Sequence, residues 1–196
     1  KIVLSRNFLN IYKDKFSTEI LQLIFPQLKN IFLLNNLNEK QISILKSKDF
    51  YFIISLMIID ETDNSDYFLY KFKVSNEQKK RIKLLKKFYV ENIKKNIFTE
   101  ENLWKVFYEN DKIILNDIID LHLMKNKSSI KKLIKLKEFF KDKEPPKFNI
   151  NATYIMEKFK IEEGPFLGQK LKQIEKQWVE NKFKISEQKI TEIVNN

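Results

Sequence analysis

The chain has no cysteine, one histidine, two glycines and four prolines among its 196 residues. Without cysteine there is no disulfide scaffold and no thiolate-ligated metal site, which fits a reducing compartment, and a cytoplasmic location is the matching expectation. With glycines only at Gly164 and Gly168, neither a phosphate-binding P-loop nor a dinucleotide fingerprint can be written, and sheets closed by tight turns are poorly supplied. A single histidine, His122, cannot make a His/Cys zinc set. It sits inside an amphipathic pattern with no nucleophile beside it, so it reads as a structural residue. Long apolar runs are also missing. The longest, Phe50 to Ile59, is broken only by Ser55 and flanked by Lys48-Asp49 and Asp60-Glu61. It is too short to cross a bilayer and reads as a buried core helix. The chain begins at Lys1 rather than Met and is expected to be a piece of a longer protein.

What is present favours helices. Hydrophobic residues make up 43% of the chain, enough for a packed core. Leu4, Phe8 and Ile11 recur at helical spacing, and Ile20, Leu21 and Ile24 continue it until Pro26. Asn38 to Gln41 has N-cap chemistry, and Ser75-Asn76-Glu77-Gln78 reads as a capping box. The box opens a long basic helix with Ile82, Leu85 and Tyr89 on its apolar side. Thr99-Glu100-Glu101 begins another helix with acids in its first turn. Asp111 to Met124 carries Ile114, Leu115, Ile118 and Leu121 on one stripe, and Ser128 or Ser129 opens a further helix toward Phe140. Pro145-Pro146 marks a linker. Asn151 caps a short helix ending near Ile161. Gly164 reads as a C-terminal cap and Pro165 as a first-turn residue, so two helices meet there at a corner. Leu167, Leu171, Ile174 and Trp178 trace one apolar face of the last long helix. The fold class expected is all-α.

Charge narrows the partner. Thirty-seven lysines and arginines stand against 26 acids, a formal net charge of +11, and the only arginines are Arg6 and Arg81. Such a balance favours polyanions, nucleic acid first and an anionic membrane surface second. Residues 79–95 hold eight cations against one acid, and 125–147 hold nine against three. The candidates for phosphate contact are Lys79, Lys80, Arg81, Lys83, Lys86 and Lys87 in the first stretch and Lys131, Lys132 and Lys135 in the second. Lysine ridges on helices attract phosphates and release counterions without reading sequence. The plainer reading of any one lysine is a solvated helix face. The 17 phenylalanines and seven tyrosines, at helical spacing, read mostly as core rather than as a base-stacking platform. Asp60, Glu61, Asp63 and Asp66 form the one acidic cluster. With no glycine turn near it, it reads as a polar loop rather than a nucleotidyl-transfer metal site.

The last third carries a pattern. Gly164-Pro165-Phe166-Leu167-Gly168 is followed by Leu171, Glu175, Trp178 and Phe183. This resembles the C-terminal signature of bacterial tRNA nucleotidyltransferases of the CCA-adding / poly(A) polymerase family. Phe148, Ile150-Asn151 and Ile155-Met156-Glu157-Lys158-Phe159 resemble that family's approach to the turn. Val74-Ser75-Asn76-Glu77 resembles a helix start in its middle region, and Leu4 to Leu28 the stretch after its nucleotide-selecting neck. The chain departs from the family at Ala152 and Tyr154, where glycine and aspartate are common.

The resemblance implies an extended neck, body and tail, with 1–35 ending the neck-like region, 36–125 forming a helical body and 126–196 a helical tail. It implies a chain that holds the acceptor and T-arm side of tRNA, with Gly168 and Lys172 added to the RNA-contact candidates. Gly168 would let either RNA backbone or another helix come close. Nothing matches the family's Gly-Ser turn, its Asp-x-Asp pair or its arginine-rich neck motif. No catalytic residue and no cofactor is therefore expected in this chain; Mg²⁺ and CTP or ATP belong to a head domain supplied in cis or in trans. No membrane partner is expected. The product is left open among CCA, CC alone, A alone and a poly(A) tail. A stand-alone helical nucleic-acid binder and a protein-interaction module kept soluble by its lysines are the other classes open to this sequence.

Overall fold

The computed structural model describes residues 14–95, 97–126 and 130–195. The expectations resting on Leu4, Phe8 and Ile11, and on Ser128 or Ser129 as a cap, lie outside those residues. The described residues are all-α, with eleven α-helices and one 3₁₀ helix. They divide into two compact units, 1–143 and 144–196.

In the first unit α1 spans Lys15–Ile24, and a 3₁₀ turn covers Ile31–Asn36. Then come α2 (Glu39–Lys46), α3 (Phe50–Ile58), α4 (Asn64–Lys71), α5 (Asn76–Lys94), α6 (Glu100–Glu109), α7 (Lys112–Lys125) and α8 (Ile130–Phe140). Local chemistry sets the starts. Asn38 and Gln41 form a complete capping box at α2, and Asp49, Thr99 and Asp111 cap α3, α6 and α7 through their side chains. At α5 only half of the expected box is present. Ser75 accepts from the Gln78 amide, but the Gln78 side chain accepts from Arg81 instead of reaching back.

The Phe50–Ile59 run is the core helix its composition requires, buried from Phe52 through Ile59. A helix end inside a core leaves carbonyls that water cannot reach. Three side chains from elsewhere in the chain close this one. Asn30 Nδ2 donates to the carbonyls of Met57 and Ile59, Asn64 Nδ2 to that of Ile58, and Lys125 Nζ to that of Ile59 at 2.6 Å. Burial lowers the Lys125 pKa to about 8.

The most embedded helix is α7. Of its expected stripe Leu115, Ile118 and Leu121 are buried and Ile114 is half-buried, but Asp117, Asp120 and His122 are buried as well, with Ile119, Leu123 and Met124. It packs on α2, α3, α5, α6 and α8. Thus α8, part of the 126–196 segment assigned to a tail from sequence, lies against α7 in the first unit. α1 is only loosely seated. Leu21 packs on the core and Thr18 is buried, while Phe16, Ile20, Leu23 and Ile24 are exposed.

The second unit holds α9 (Ala152–Phe159), α10 (Pro165–Glu180) and α11 (Glu187–Asn195). Its core is Ile155, Leu167, Ile174, Ile190 and Val194. The Trp178 ring lies between Phe148 and Phe183, at 5.2 and 5.0 Å between centroids. Buried Lys170 donates to the carbonyl of Ile193 and so closes the end of α11. The corner before α10 is built differently from the expectation. The left-handed residue ending α9 is Lys160, at φ 56°. Gly164, four residues on, is the N-cap of α10 in extended backbone.

Candidate nucleic-acid interface

The basic residues of α5 divide by direction. Lys80, Lys83 and Lys87 are exposed at offsets of three and four, so they form one ridge along the helix. Lys79 is half-buried beside it. Lys86 leans back to Asp66 on α4, 20 residues earlier, at 2.6 Å. Arg81 faces inward with a side chain only 10% exposed. On α8, Lys131, Lys132 and Lys135 are all exposed, whereas Lys137 reaches inward. On α10, Gly168 and Lys172 share an outward face one turn apart, opposite Leu167 and Ile174. Among the described residues nothing lies within 4 Å of where a Cβ on Gly168 would stand, so no described helix uses the glycine for close approach.

Beneath these ridges is a charged core that the hydrophobic pattern did not reveal. Asp117 and Asp120 on α7 are each 1% exposed. Lys48 Nζ lies 2.8 Å from Asp117 and 2.7 Å from Asp120. Arg81 Nε donates to Asp117 at 2.8 Å, and Nη1 to Asp49 at 2.6 Å. Lys137 Nζ completes the set on Asp120 at 2.6 Å. Three cations thus meet three carboxylates. Burial alone would lower the Arg81 pKa, but the bond to Asp49 and the charge of Asp117 outweigh it and raise the value. Burial likewise pushes Asp49 up, and Arg81 more than reverses that. The geometry ties both lysine-bearing helices to the same buried acids, α5 through Arg81 and α8 through Lys137. A sequence signal did exist. Arg81 is one of only two arginines among 37 cations, and two aspartates three apart interrupt an otherwise apolar helix.

The residues weighed for chemistry are accounted for by structure. His122 is fully buried; the side-chain amides of Asn92 and Asn126 approach its Nδ1 at 3.4 and 3.0 Å, and Phe98 packs against its ring. Nδ1 is then an acceptor and the proton sits on Nε2, which faces the Phe88 carbonyl too loosely for a full hydrogen bond. Burial is the main reason its pKa falls to about 4, and the charge of Lys125 adds to the fall. In the acidic loop Asp60 accepts from the Thr62 amide and hydroxyl, and Asp66 holds Lys86. Among the described residues no three acids or histidines converge as metal ligands would, and no helix is long and apolar enough to cross a membrane.

Neither the curated proteins nor the solved structures give a match to this chain. The family model described as tRNA nucleotidyltransferase domain 2 does match, over residues 43–194. That span runs from α2 into α11 and takes in both lysine ridges, the buried acid pair between their helices and the Gly164–Trp178 segment. By this match over most of its length, the chain belongs to the tRNA nucleotidyltransferase domain 2 family.

Proposed function

We propose that this chain is the tRNA-holding helical part of a CCA-adding tRNA nucleotidyltransferase, acting in the cytoplasm on the acceptor and T-arm side of tRNA. A separate catalytic head, in cis or in trans, transfers CMP and AMP with Mg²⁺. The chain alone adds no nucleotide. The observation that carries the reading is the exposed ridge Lys80–Lys83–Lys87 in a chain of this family. A-form RNA offers phosphates and 2′-hydroxyls on a regular surface, and rigid helices bearing lysines suit that shape better than base edges. The same architecture would serve the RNA-binding part of a poly(A) polymerase or a stand-alone RNA-binding module.

Charge reversal of the ridge tests this directly. The Lys80→Glu/Lys83→Glu/Lys87→Glu variant should bind tRNA lacking its 3′ CCA roughly tenfold or more weakly than the parent chain. Its log Kd against log salt should be shallower by about three, one unit for each lost phosphate contact. All three positions are exposed, so the melting temperature should hardly move. Unchanged affinity with an unchanged slope would remove the ridge from the interface.

Gly168 provides a second test with opposite signs in two assays. An exposed glycine inside a helix costs about 0.5–1 kcal/mol relative to alanine, and here a Cβ meets nothing. Gly168→Ala should therefore stabilise the protein by about that amount and weaken tRNA binding, if RNA backbone fills the open space. Stabilisation with undiminished RNA affinity would leave the glycine without a role in binding.

A further inference from the structure

Between α2, α7 and α8 lies a cleft of about 500 Å³ that neither lysine ridge explains. Ile44, Leu123 and Ile134 give it an apolar wall, and Ile134 is 40% exposed. Asn116 lines the same space, and no described group hydrogen-bonds to its side chain. Lys40 and Lys112 line it as well. The other cations of the lining are already matched, Lys137 by Asp120 and Lys141 by Glu138 at 3.4 Å. Lys112 spends one donor on the Lys143 carbonyl at 3.3 Å, and Lys40 spends none on a described group.

These features describe the chemistry of a nucleotide. A base is flat and apolar on its faces, and its edge carries donors and acceptors beside one another. A side-chain amide offers both on one group. The attached phosphate needs cations that no described carboxylate holds, which Lys40 and Lys112 of the lining supply. The volume lies in the range of a small-ligand pocket, whereas a docked helix needs a long groove with anchors over two or more turns. We infer that this cleft takes one unstacked nucleotide of the bound RNA, its base against Ile44 and Ile134, its edge on Asn116 and its phosphate at Lys40 and Lys112. The inference rests on the RNA-holding reading above and gives it a site for single-stranded RNA, where unstacked bases are the part proteins read.

The test uses the whole chain with ¹³C-labelled isoleucine methyl groups. The probes are pentaadenylate, pentauridylate and an RNA duplex of matched phosphate number. The single strands should shift the Ile44 and Ile134 methyl signals, with Ile174 of the second unit unmoved, and the duplex should leave all three in place. Asn116→Leu, and separately Ile134→Trp, should weaken single-strand binding roughly tenfold and leave salt-dependent duplex binding intact. The Asn116 side chain makes no hydrogen bond to a described group, and thermal melting of both variants checks the fold. Single strands that bind without moving Ile44 and Ile134, or variants that bind them as well as the parent chain, would overturn the nucleotide site while leaving the lysine ridges standing. A glutamate-rich amphipathic peptide that shifts these methyls where RNA does not would reassign the cleft to an acidic protein partner. No salt-dependent binding to any of the three RNAs would sink the RNA-holding reading itself, and this site with it.

Discussion

Asp117→Ala should destabilise the first unit by about 3–5 kcal/mol, the cost of leaving buried cations without their carboxylate. Arg81 would keep only the half-exposed Asp49, and Lys48 would keep only Asp120. Domains of this size are stable by roughly 5–15 kcal/mol, so the variant stands near the threshold for folding at 37 °C. Urea unfolding of parent and variant measures the loss. The accompanying control is Arg81→Leu/Asp117→Leu, which removes both charges and leaves Lys48 paired with Asp120. Apolar replacement of a buried ion pair is often neutral, so the double variant should lose much less than the sum of the two single changes. Additive losses would mean that Arg81 and Asp117 are not coupled, contrary to their 2.8 Å contact. Because Arg81 ties α5 to Asp117 while Lys137 ties α8 to Asp120, loss of Asp117 should loosen the α5 ridge, and tRNA affinity should fall although no lysine is touched.

The protein should lose about 3 kcal/mol of stability to His122 alone between pH 6.5 and pH 4. In the unfolded chain this imidazole takes a proton near its ordinary value of 6.5; in the fold it takes one only near 4. Between those values the unfolded state binds more protons, so stability is fully present above pH 6.5 and is lost as the pH falls toward 4. The physical cause is burial, reinforced by Lys125 and by two amide N–H groups that already face Nδ1 and would oppose a second N–H. Asp49 is held below its usual range by Arg81 and adds its own loss only at lower pH. His122→Leu should be less stable than the parent at pH 7, with its stability almost flat from pH 6.5 to 4, so the two curves converge in acid. Parallel curves would show that the imidazole does not titrate in that window.

The all-α class was legible because local signals agreed with one another. Two glycines and four prolines leave little material for turns. Asn38, Thr99 and Asn151 cap helices where their side chains said they would. On the Leu167–Trp178 face Leu167, Ile174 and Trp178 are buried and Leu171 is half-buried. Periodicity fails where polarity and burial part company. On α7 the apolar stripe says nothing of Asp117, whose partners 36 and 69 residues away in sequence bring it inside. Sequence counts Arg81 and Lys86 with the phosphate-contact candidates, since nothing local announces Asp117 or Asp66 as their partners. On α1 the apolar spacing is split, with Leu21 packed on the core and Ile20 and Ile24 exposed. At the α9–α10 corner the rule that glycine ends helices pointed to Gly164, while Lys160 takes the left-handed position. Spacing groups Lys79, Lys83, Lys86 and Lys87 on one side of the helix, but only Lys83 and Lys87 of these are exposed; Lys79 is half-buried, Lys86 holds Asp66, and Lys80 stands in the exposed ridge instead.

The most direct test of the tRNA-holding role compares binding of this chain to tRNA lacking its 3′ CCA with binding to a DNA duplex of equal charge, at two salt concentrations. The account predicts tighter binding to the tRNA at both, with affinity falling steeply as salt rises. Equal affinity for tRNA and duplex would contradict it, reducing the lysine ridges to a general attraction for polyanions.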